Sequence, residues 1–101
     1  MILEVATLDV KPGMGAEFER SFARAQKIIR AMRGYLSREL RHCIEQERRY
    51  LLLVKWETLE DHTEGFRGSA EYQQWREMLH HFYDPFPTVE HYSLVELSES
   101  E

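Results

Sequence analysis

The chain has 101 residues, a length that is typical of one domain. Hydrophobic residues make up 43% of the sequence and charged residues 31%, which indicates a globular protein and excludes a disordered one. The formal net charge is −5, and this acidic balance argues against a nucleic-acid partner, because such a partner requires a surplus of Lys and Arg on one face.

The first third of the chain predicts a strand followed by a helix. Residues 2–10 are β-branched and apolar on both faces, and they stop at the turn signal Lys11–Gly13. A helix is predicted over residues 15–33, ending at Gly34, where a C-cap needs a left-handed residue. Its apolar residues recur at helical spacing: Phe18, Phe22, Ala25, Ile29 and Met32.

The middle of the chain predicts two strands joined by a hairpin loop. Residues 35–43 alternate between two faces, and Leu36 and Leu40 share one of them. Residues 44–49 are polar and short enough to form the loop. Residues 50–56 are apolar on both faces, which is typical of a central strand.

The last part of the chain predicts two helices and a strand. Thr58 begins a capping box for a short helix over residues 59–66. Ser69 is placed to cap a second helix over residues 70–82, and the prolines that follow it end that helix. Residues 88–97 have the composition of a final strand.

Together these elements predict one domain over residues 1–97 and an acidic tail over residues 98–101. The order β-α-β-β-α-α-β is typical of an α+β fold with a ferredoxin-like, antiparallel four-stranded sheet and helices on one face. We expect Leu36 and Leu40 to make the other face apolar as well. A second copy of the chain would cover that face, so the sequence predicts a homodimer in which two sheets close into a barrel.

The sequence lacks the patterns that would indicate a membrane span, a signal peptide or a metal site. No apolar run approaches about 18 residues and the N-terminal strand lacks a basic region, so we predict no membrane partner and no signal peptide. Cys43 is the single cysteine, which favours a reducing, cytoplasmic location. The adjacent His80 and His81 would point about 100° apart on a helix, and no histidine spacing typical of a metal site is present. No metal is therefore predicted.

Four stretches carry a resemblance to a known family: Val10–Gly13, Gly34–Ser37, Tyr50–Glu57 followed by Asp61–His62, and Gly65–Trp75. In this order they resemble the antibiotic-biosynthesis-monooxygenase family of the dimeric α+β barrel superfamily, over about residues 1–95. The resemblance implies a homodimer with a pocket between sheet and helices in each subunit. It also implies oxidation of phenolic or quinol-like aromatics by molecular oxygen without flavin, haem or metal, as in some members. Others degrade haem.

Three residues are candidates for catalysis. Trp56 matches the family's strand-end Trp and would provide a flat wall and an N–H donor, or it simply buries its ring. His62 would be the general base, because its ordinary pKa is near neutral, or it is satisfied by a backbone carbonyl. Arg76 would hold a phenolate or carboxylate, or it extends to water or pairs with Glu71 or Asp61.

Six further residues are expected to line the substrate pocket: Leu52, Phe66, Tyr72, His80, Tyr83 and His91. Two of them depart from the family pattern. Phe66 stands near the position of a His in haem-degrading relatives, and the first strand lacks their Asn, so haem degradation is not expected. Leu52 stands where phenol-oxidising relatives carry a polar amide, so a donor for that reaction is replaced by an apolar group.

Three functions remain open from the sequence. The first is a cofactor-independent monooxygenase that oxidises a small electron-rich aromatic, and the second is a non-enzymatic binder of a quinone or aromatic metabolite. The third is an isomerase or lyase. A monooxygenase consumes oxygen, a binder is stabilised by its ligand without turnover, and an isomerase turns over without oxygen.

Overall fold

The computed structural model describes residues 1–99, so residues 100 and 101 of the predicted tail lie outside it. The strands are β1 (Ile2–Asp9), β2 (Tyr35–His42), β3 (Arg49–Trp56) and β4 (Thr88–Ser93). The α-helices are α1 (Gly15–Arg30) and α2 (Ala70–Leu79). A π-helical segment (Asp61–Phe66) precedes α2, and a 3-10 turn (His80–Phe82) follows it. None of the helices in the described part of the chain is long and apolar enough to cross a membrane.

The four strands form one antiparallel sheet in the order β2-β3-β1-β4. The central strands are β1 and β3, as predicted from their apolar residues on both faces. Ala6 of β1 lies opposite Leu52 of β3 and Val89 of β4, so these three side chains form one row on the same face. This topology is ferredoxin-like and confirms the predicted α+β fold.

Both helices pack on one face of the sheet, which we call the covered face. The apolar stripe of α1 is buried there: Phe18, Phe22, Ala25 and Ile29. Phe22 meets Trp75 of α2 nearly edge to face, with ring centroids 5.6 Å apart, and Phe18 lies 4.9 Å from Tyr50 of β3. Each buried Phe or Ile side chain of this stripe contributes roughly 1.5–3 kcal/mol to folding, so these contacts hold the helices firmly over the sheet.

A β-bulge in β2 places Leu40 on the face opposite to the one that we predicted. The register with β3 shifts between Tyr35 and Ser37, and the intervening Leu36 is 42% exposed. Beyond the bulge, Leu40 pairs with the buried Leu52 and therefore lies on the covered face. The prediction that Leu40 helps to make the opposite face apolar was therefore wrong, whereas Leu36 lies in the bulge without a partner on β3. That face, the open face, carries other half-exposed apolar side chains: Leu3, Val5, Leu51 and Leu53.

Several elements end earlier than the sequence predicted, including the first helix and the last strand. The first helix ends at Arg30 and not at residue 33, because Ala31 N–H already bonds to the carbonyl three residues back, in a tightened last turn. Strand β4 ends at Ser93 and not at residue 97. Ser93 pairs with Ile2, the first residue of β1, so no further β1 residue is available to extend the ladder.

Gly34 joins the end of α1 to β2 in a left-handed conformation, with φ of 83°, as predicted. A Cβ atom at this position would lie 2.1 Å from Oδ2 of Asp61. Asp61 in turn donates its N–H to Oγ1 of Thr58 at 3.1 Å, which confirms the predicted cap. Contact between Gly34 and Asp61 therefore fixes where the π-helical segment starts relative to the sheet.

Candidate active site

The covered face of β1 carries one carboxylate, Glu4, within an otherwise apolar row. Its neighbours on this face, Ala6 and Leu8, are buried, and Glu4 itself is only 5% exposed. In the sheet it lies opposite Val54 of β3 and His91 of β4. Burying an unpaired carboxylate is costly, so the groups around Glu4 determine what it can do.

Side chains from three other elements connect to Glu4. The indole N–H of Trp56 donates to Glu4 Oε1 at 2.9 Å. Nε2 of His62 is 3.3 Å from the same oxygen, and Nδ1 of His62 is 2.8 Å from Nε2 of His91. The Trp56 and His62 rings also stack, with centroids 5.3 Å apart. The result is a continuous Glu4–His62–His91 chain from a buried carboxyl to a half-buried imidazole.

The Glu4–His62–His91 chain can be fully hydrogen-bonded in two protonation states. With Glu4 ionised, His62 donates from Nε2 to the carboxylate and accepts from His91 at Nδ1. With Glu4 protonated on Oε1, that hydroxyl donates to Nε2 of His62, and His62 donates onward to His91. Both ring nitrogens of His62 are engaged in either state. Glu4 can therefore gain or lose a proton without breaking a bond of the chain.

Burial shifts the ionisation of all three groups toward their neutral forms. Desolvation raises the pKa of Glu4, and the hydrogen bond from Trp56 and the charge of Arg67 only partly oppose it. Desolvation, with the positive charge of Arg67 and His91 as smaller causes, lowers the pKa of His62 to about 3. The pKa of His91 is lowered by burial and then by Arg67. Although His62 and Glu4 have ion-pair geometry, both shifts favour a neutral imidazole at pH 7.

The π-helical segment brings His62 to the cavity together with two later residues. Arg67 N–H donates to the His62 carbonyl at 3.1 Å, five residues back, which is the hydrogen bond that defines this wide turn. The wide turn places His62, Phe66 and Arg67 on one side, and all three line the same cavity. Single π-turns of this kind are frequent at functional sites.

A cavity of about 370 Å³ lies between the covered face and the helices, within the size range of small-molecule sites. Its base includes Ala6, Leu52 and Val89, the row that crosses three strands. Its aromatic walls are Phe66, Tyr72, Trp75, Tyr83 and Phe86. Glu4, His62, Arg67 and His80 supply its charged and imidazole groups. The polar groups of this lining are concentrated at a few points, and the rest of it is apolar and aromatic. Such a lining suits a flat aromatic molecule.

His80 brings an unsatisfied nitrogen to this cavity. Its Nδ1 is buried and has no hydrogen-bond partner among the described residues. The ring lies among Tyr72, Tyr83 and Phe86, with centroid distances of 6.1, 5.8 and 5.7 Å. Burial lowers the pKa of His80, and the charge of Arg76 lowers it further. The imidazole is therefore neutral at pH 7, and its Nδ1 is available for a hydrogen bond with a ligand.

The structure brings together most of the residues singled out from the sequence. His62 lines the cavity with five of the six predicted lining residues: Leu52, Phe66, Tyr72, His80 and Tyr83. His91 lies outside the lining and reaches the site through His62. Trp56 is fully buried behind His62, and its N–H is given to Glu4 and not to the cavity. Arg76 is exposed on α2 and does not line the cavity.

Two polar residues of the site were missed from the sequence, Glu4 and Arg67. Glu4 is recognisable only as a carboxylate in phase with the buried apolar residues Ala6 and Leu8. Arg67 stands between two glycines near the end of a short helix, and a normal α-helical turn would not place it beside His62 and Phe66. No pattern in the sequence predicts the π-winding that does so.

Two further depressions, of about 460 and 480 Å³, lie beside Tyr50 at the other end of α1. Tyr50 donates its hydroxyl to Glu19 at 2.5 Å and stacks on His42, with ring centroids 4.3 Å apart. Glu19 and His42 are exposed, and among residues 1–99 neither depression has a buried carboxyl or an unsatisfied buried nitrogen in its lining. The chemistry is concentrated in the smaller cavity around His62.

Comparison with known proteins identifies the fold and sequence relatives. Over residues 1–78 the chain matches the family model described as antibiotic biosynthesis monooxygenase. It is 58% identical over 95 residues to protein YczJ of Bacillus subtilis strain 168, an alignment that covers 94% of this chain and 100% of that protein.

Solved structures give the same relationship. A crystal structure from Bordetella bronchiseptica, named for the antibiotic biosynthesis monooxygenases, superposes with a TM-score of 0.90 at 37% identity, over 94% of this chain and 97% of that one. A point mutant of SnoaB from Streptomyces nogalater, a cofactor-independent oxygenase, has a TM-score of 0.79 at 15% identity, over 99% and 97% of the two chains, and shares the fold. By sequence and by structure, the chain belongs to the antibiotic biosynthesis monooxygenase family.

Proposed function

We propose that this chain is a cofactor-independent monooxygenase that oxidises a small, electron-rich aromatic of the phenol or quinol type with molecular oxygen. The observation that supports this most is the Glu4–His62–His91 chain, because it places a proton acceptor of raised pKa in an aromatic-lined cavity. Such an oxidation requires removal of a substrate proton in a dry site, and a buried carboxyl linked to the surface is suited to that task.

The proposed reaction begins with the keto tautomer of the phenol, in which the reacting ring carbon is a CH2 group, and with transfer of a proton from that CH2 to the Glu4 carboxylate. The resulting carbanion passes one electron to oxygen, and the two radicals combine to form a C–O bond. Glu4 returns its proton to the peroxide anion, and loss of water from the resulting hydroperoxide leaves a carbonyl, so that a CH2 group and O2 become a C=O group and H2O. One oxygen atom enters the product, and the four electrons lost by carbon reduce O2 completely.

His62 and Trp56 would act as positioning residues for Glu4. Both bind Glu4 Oε1, so Oε2 has no partner among the described residues and is available to a substrate. His62 would link Glu4 to His91, and this hydrogen-bonded chain would hold the carboxyl in position while it takes up and returns the proton. We therefore shift the role of base, which the sequence suggested for His62, to the carboxyl that His62 holds.

A non-enzymatic binding function is the second candidate, and Leu52 favours it. Leu52 is 4% exposed and lines the cavity, where we expected phenol-oxidising relatives to have a polar amide. A site without this donor has less stabilisation to offer a developing anion. Such a protein would bind an aromatic metabolite without converting it.

The deciding experiment is oxygen uptake by chelator-treated protein with anthrones, naphthoquinols and polyphenols. We expect uptake above the autoxidation rate, lost in Glu4→Gln, with a changed pH–rate profile in His62→Gln. Gln73→Glu, an exposed change on α2, is the control and should keep the wild-type rate. Thermal stabilisation by these compounds without uptake would favour the binding function instead. Uptake that survives Glu4→Gln would place the base elsewhere.

We also propose that the chain works as a homodimer joined through the open face. Val5 and Leu53 lie directly opposite each other at its centre, and Leu3 and Leu51 extend the apolar area on either side. Central strands that are apolar on both faces are normally covered on both faces. A second sheet packed here would give the closed barrel that the sequence led us to expect.

A further inference from the structure

We infer that the cavity takes its aromatic ligand as a carboxylate anion, with the carboxylate on Arg67 and a second oxygen substituent at Nδ1 of His80. This inference rests on the proposed function for its view of the cavity as the substrate site, and it adds the chemical class of the substrate. Arg67 and His80 have no assigned role in the proton chemistry described above.

Arg67 is an arginine without a partner at a cavity that is otherwise aromatic. Its side chain lines the cavity, and within residues 1–99 it makes no hydrogen bond or ion pair. Arg38, Arg41 and Arg49 are engaged with Gln26, Glu39 and Asp9, respectively. Among residues 1–99, Arg67 is the arginine that lines this cavity, and it is exposed. In a protein with a net charge of −5, an unpaired guanidinium beside a cavity is available to an external anion.

The positive charge of Arg67 is not neutralised inside the cavity. Glu4 is near enough to feel this charge but forms no ion pair with it, and Trp56 and His62 occupy its Oε1. His62 and His91 also sense Arg67, and burial together with this charge keeps both imidazoles neutral. Because His62 and His91 are neutral, they do not attract an anion. An anionic ligand would therefore bind at Arg67 and not along the Glu4–His62–His91 chain.

His80 supplies a second, independent point of recognition. Its Nδ1 is shielded from solvent among Tyr72, Tyr83 and Phe86 and lacks a partner in the described part of the chain, although buried nitrogens are normally hydrogen-bonded. A neutral imidazole nitrogen can donate to or accept from a hydroxyl or carbonyl oxygen. A ring hydroxyl on the ligand would satisfy it.

The anion is a carboxylate and not a phenolate in the bound state, for two reasons. An ordinary phenol has a pKa near 10 and enters a cavity at neutral pH uncharged, whereas an aromatic acid is already ionised in water. A carboxylate also matches the two parallel donors of a guanidinium. The ligand class is thus a hydroxylated, flat aromatic acid, of a size that a cavity of about 370 Å³ admits.

Ligand binding without oxygen or turnover tests this directly. Dissociation constants would be measured anaerobically, by calorimetry, for 1-, 3- and 6-hydroxy-2-naphthoate, for the matching neutral amides, and for 2-naphthoate. We expect the best hydroxy acid to bind at least about tenfold more tightly than its amide, as one charge-assisted contact provides. Higher ionic strength should reduce this preference.

Variants separate the two contacts. Arg67→Gln should abolish the preference for acid over amide, and Arg67→Lys should keep part of it. Arg20→Gln, which removes an equal charge from the exposed surface of α1, should leave it unchanged. His80→Phe should abolish the preference for the hydroxy acid over 2-naphthoate while the preference for acid over amide persists.

The outcomes distinguish this inference from the proposed function. Equal binding of acid and amide, or an acid preference that survives Arg67→Gln, would overturn it even if the protein consumes oxygen with neutral phenols. Arg67-dependent binding of the acid would support the inference, and absence of oxygen uptake with the anthrones, naphthoquinols and polyphenols would at the same time contradict the monooxygenase. Absence of binding by every naphthalene in the panel would overturn the inference.

Discussion

At the scale of single residues, Glu4 is the group that most needs explanation. A carboxyl in an apolar row costs stability unless it is hydrogen-bonded, and an apolar residue of similar size would pack there more favourably. Glu4 instead receives Trp56 and His62 on the same oxygen. A protein that keeps such an arrangement retains a titratable group in a nearly dry site, which is the usual setting of an acid or base.

The Glu4–His62–His91 chain predicts a specific dependence of stability on pH. In the folded chain the pKa of His62 is lowered to about 3, so its imidazole stays neutral at mildly acidic pH. In the unfolded chain the same imidazole takes up a proton near pH 6.5. Stability should therefore be lost as the pH falls below about 6.5, by up to roughly 1.4 kcal/mol per pH unit. The lowered pKa of His91 acts in the same direction. The raised pKa of Glu4 acts oppositely above pH 4.5, because the folded carboxyl retains a proton that the unfolded one has released.

Urea unfolding between about pH 4 and 7.5 measures this dependence. In His62→Gln, the free energy of unfolding should change less with pH below 6.5 than in the wild type. In Glu4→Gln, the opposing contribution is removed, so the dependence between pH 4.5 and 6.5 should become steeper. Three parallel curves would show that these groups do not titrate differently in the folded and unfolded chain.

Residue identity alone predicted part of this site. His62 and His91 were predicted as site residues because imidazoles are common acids and bases. The lining residues were predicted from an apolar helix stripe and from the family resemblance. Glu4 lies 52 residues from Trp56, and His62 lies 29 residues from His91. Local spacing carries no information about such contacts. Arg76 was proposed because it lies next to the apolar stripe of the helix predicted over residues 70–82. Arg67 was missed because it reaches the cavity through a π-turn that was not predicted.

At the scale of elements, the placement of the π-helical segment depends on Gly34. Gly34 has φ of 83° and its Cα faces the Asp61 side chain, so Gly34→Ala combines backbone strain with a steric clash. We expect it to lower the free energy of unfolding by about 1–3 kcal/mol, and to weaken ligand binding in the cavity because His62 follows Asp61 directly. Urea unfolding and naphthoate binding check the two effects.

Gly13 provides a matched control for this substitution. It has φ of 77°, but a Cβ added there meets no atom within 4 Å. Gly13→Ala should therefore show the backbone strain alone, with ligand binding unchanged. Equal losses of stability in the two variants, without a binding defect in Gly34→Ala, would mean that Asp61 moves away freely and that Gly34 does not position the segment.

Element type and order followed well from the sequence, whereas element ends and faces did not. Helix periodicity, the cap at Ser69 and the two-sided apolar strands depend on local chemistry, and all appear as expected. The bulge at Leu36 and the end of β4 at Ser93 depend on which residues a neighbouring strand offers for pairing. These partners are set by the whole sheet, so a single strand's sequence could not predict them.

At the scale of the whole molecule, the sheet has two faces with different roles. The covered face carries the cavity and its titratable groups. The open face carries the half-exposed aliphatic side chains defined above, none of which lines the cavity, so a partner there would add rigidity to β1 and β3 without blocking the site. This matters for Glu4, because its position depends on the same two strands.

The proposed dimer predicts that a charge at the centre of the open face separates the subunits. Sedimentation equilibrium at micromolar concentration should give twice the chain mass of 12.1 kDa for the wild type and a single chain mass for Leu53→Glu, because a carboxylate facing Val5 cannot be buried between two sheets without a partner. Gln73→Glu adds the same charge on α2 and should remain dimeric. A monomeric wild type would contradict the dimer, and a dimeric Leu53→Glu would place the interface on another surface. Loss of cavity binding together with the dimer in Leu53→Glu would further show that the second sheet supports β1, and with it the position of Glu4.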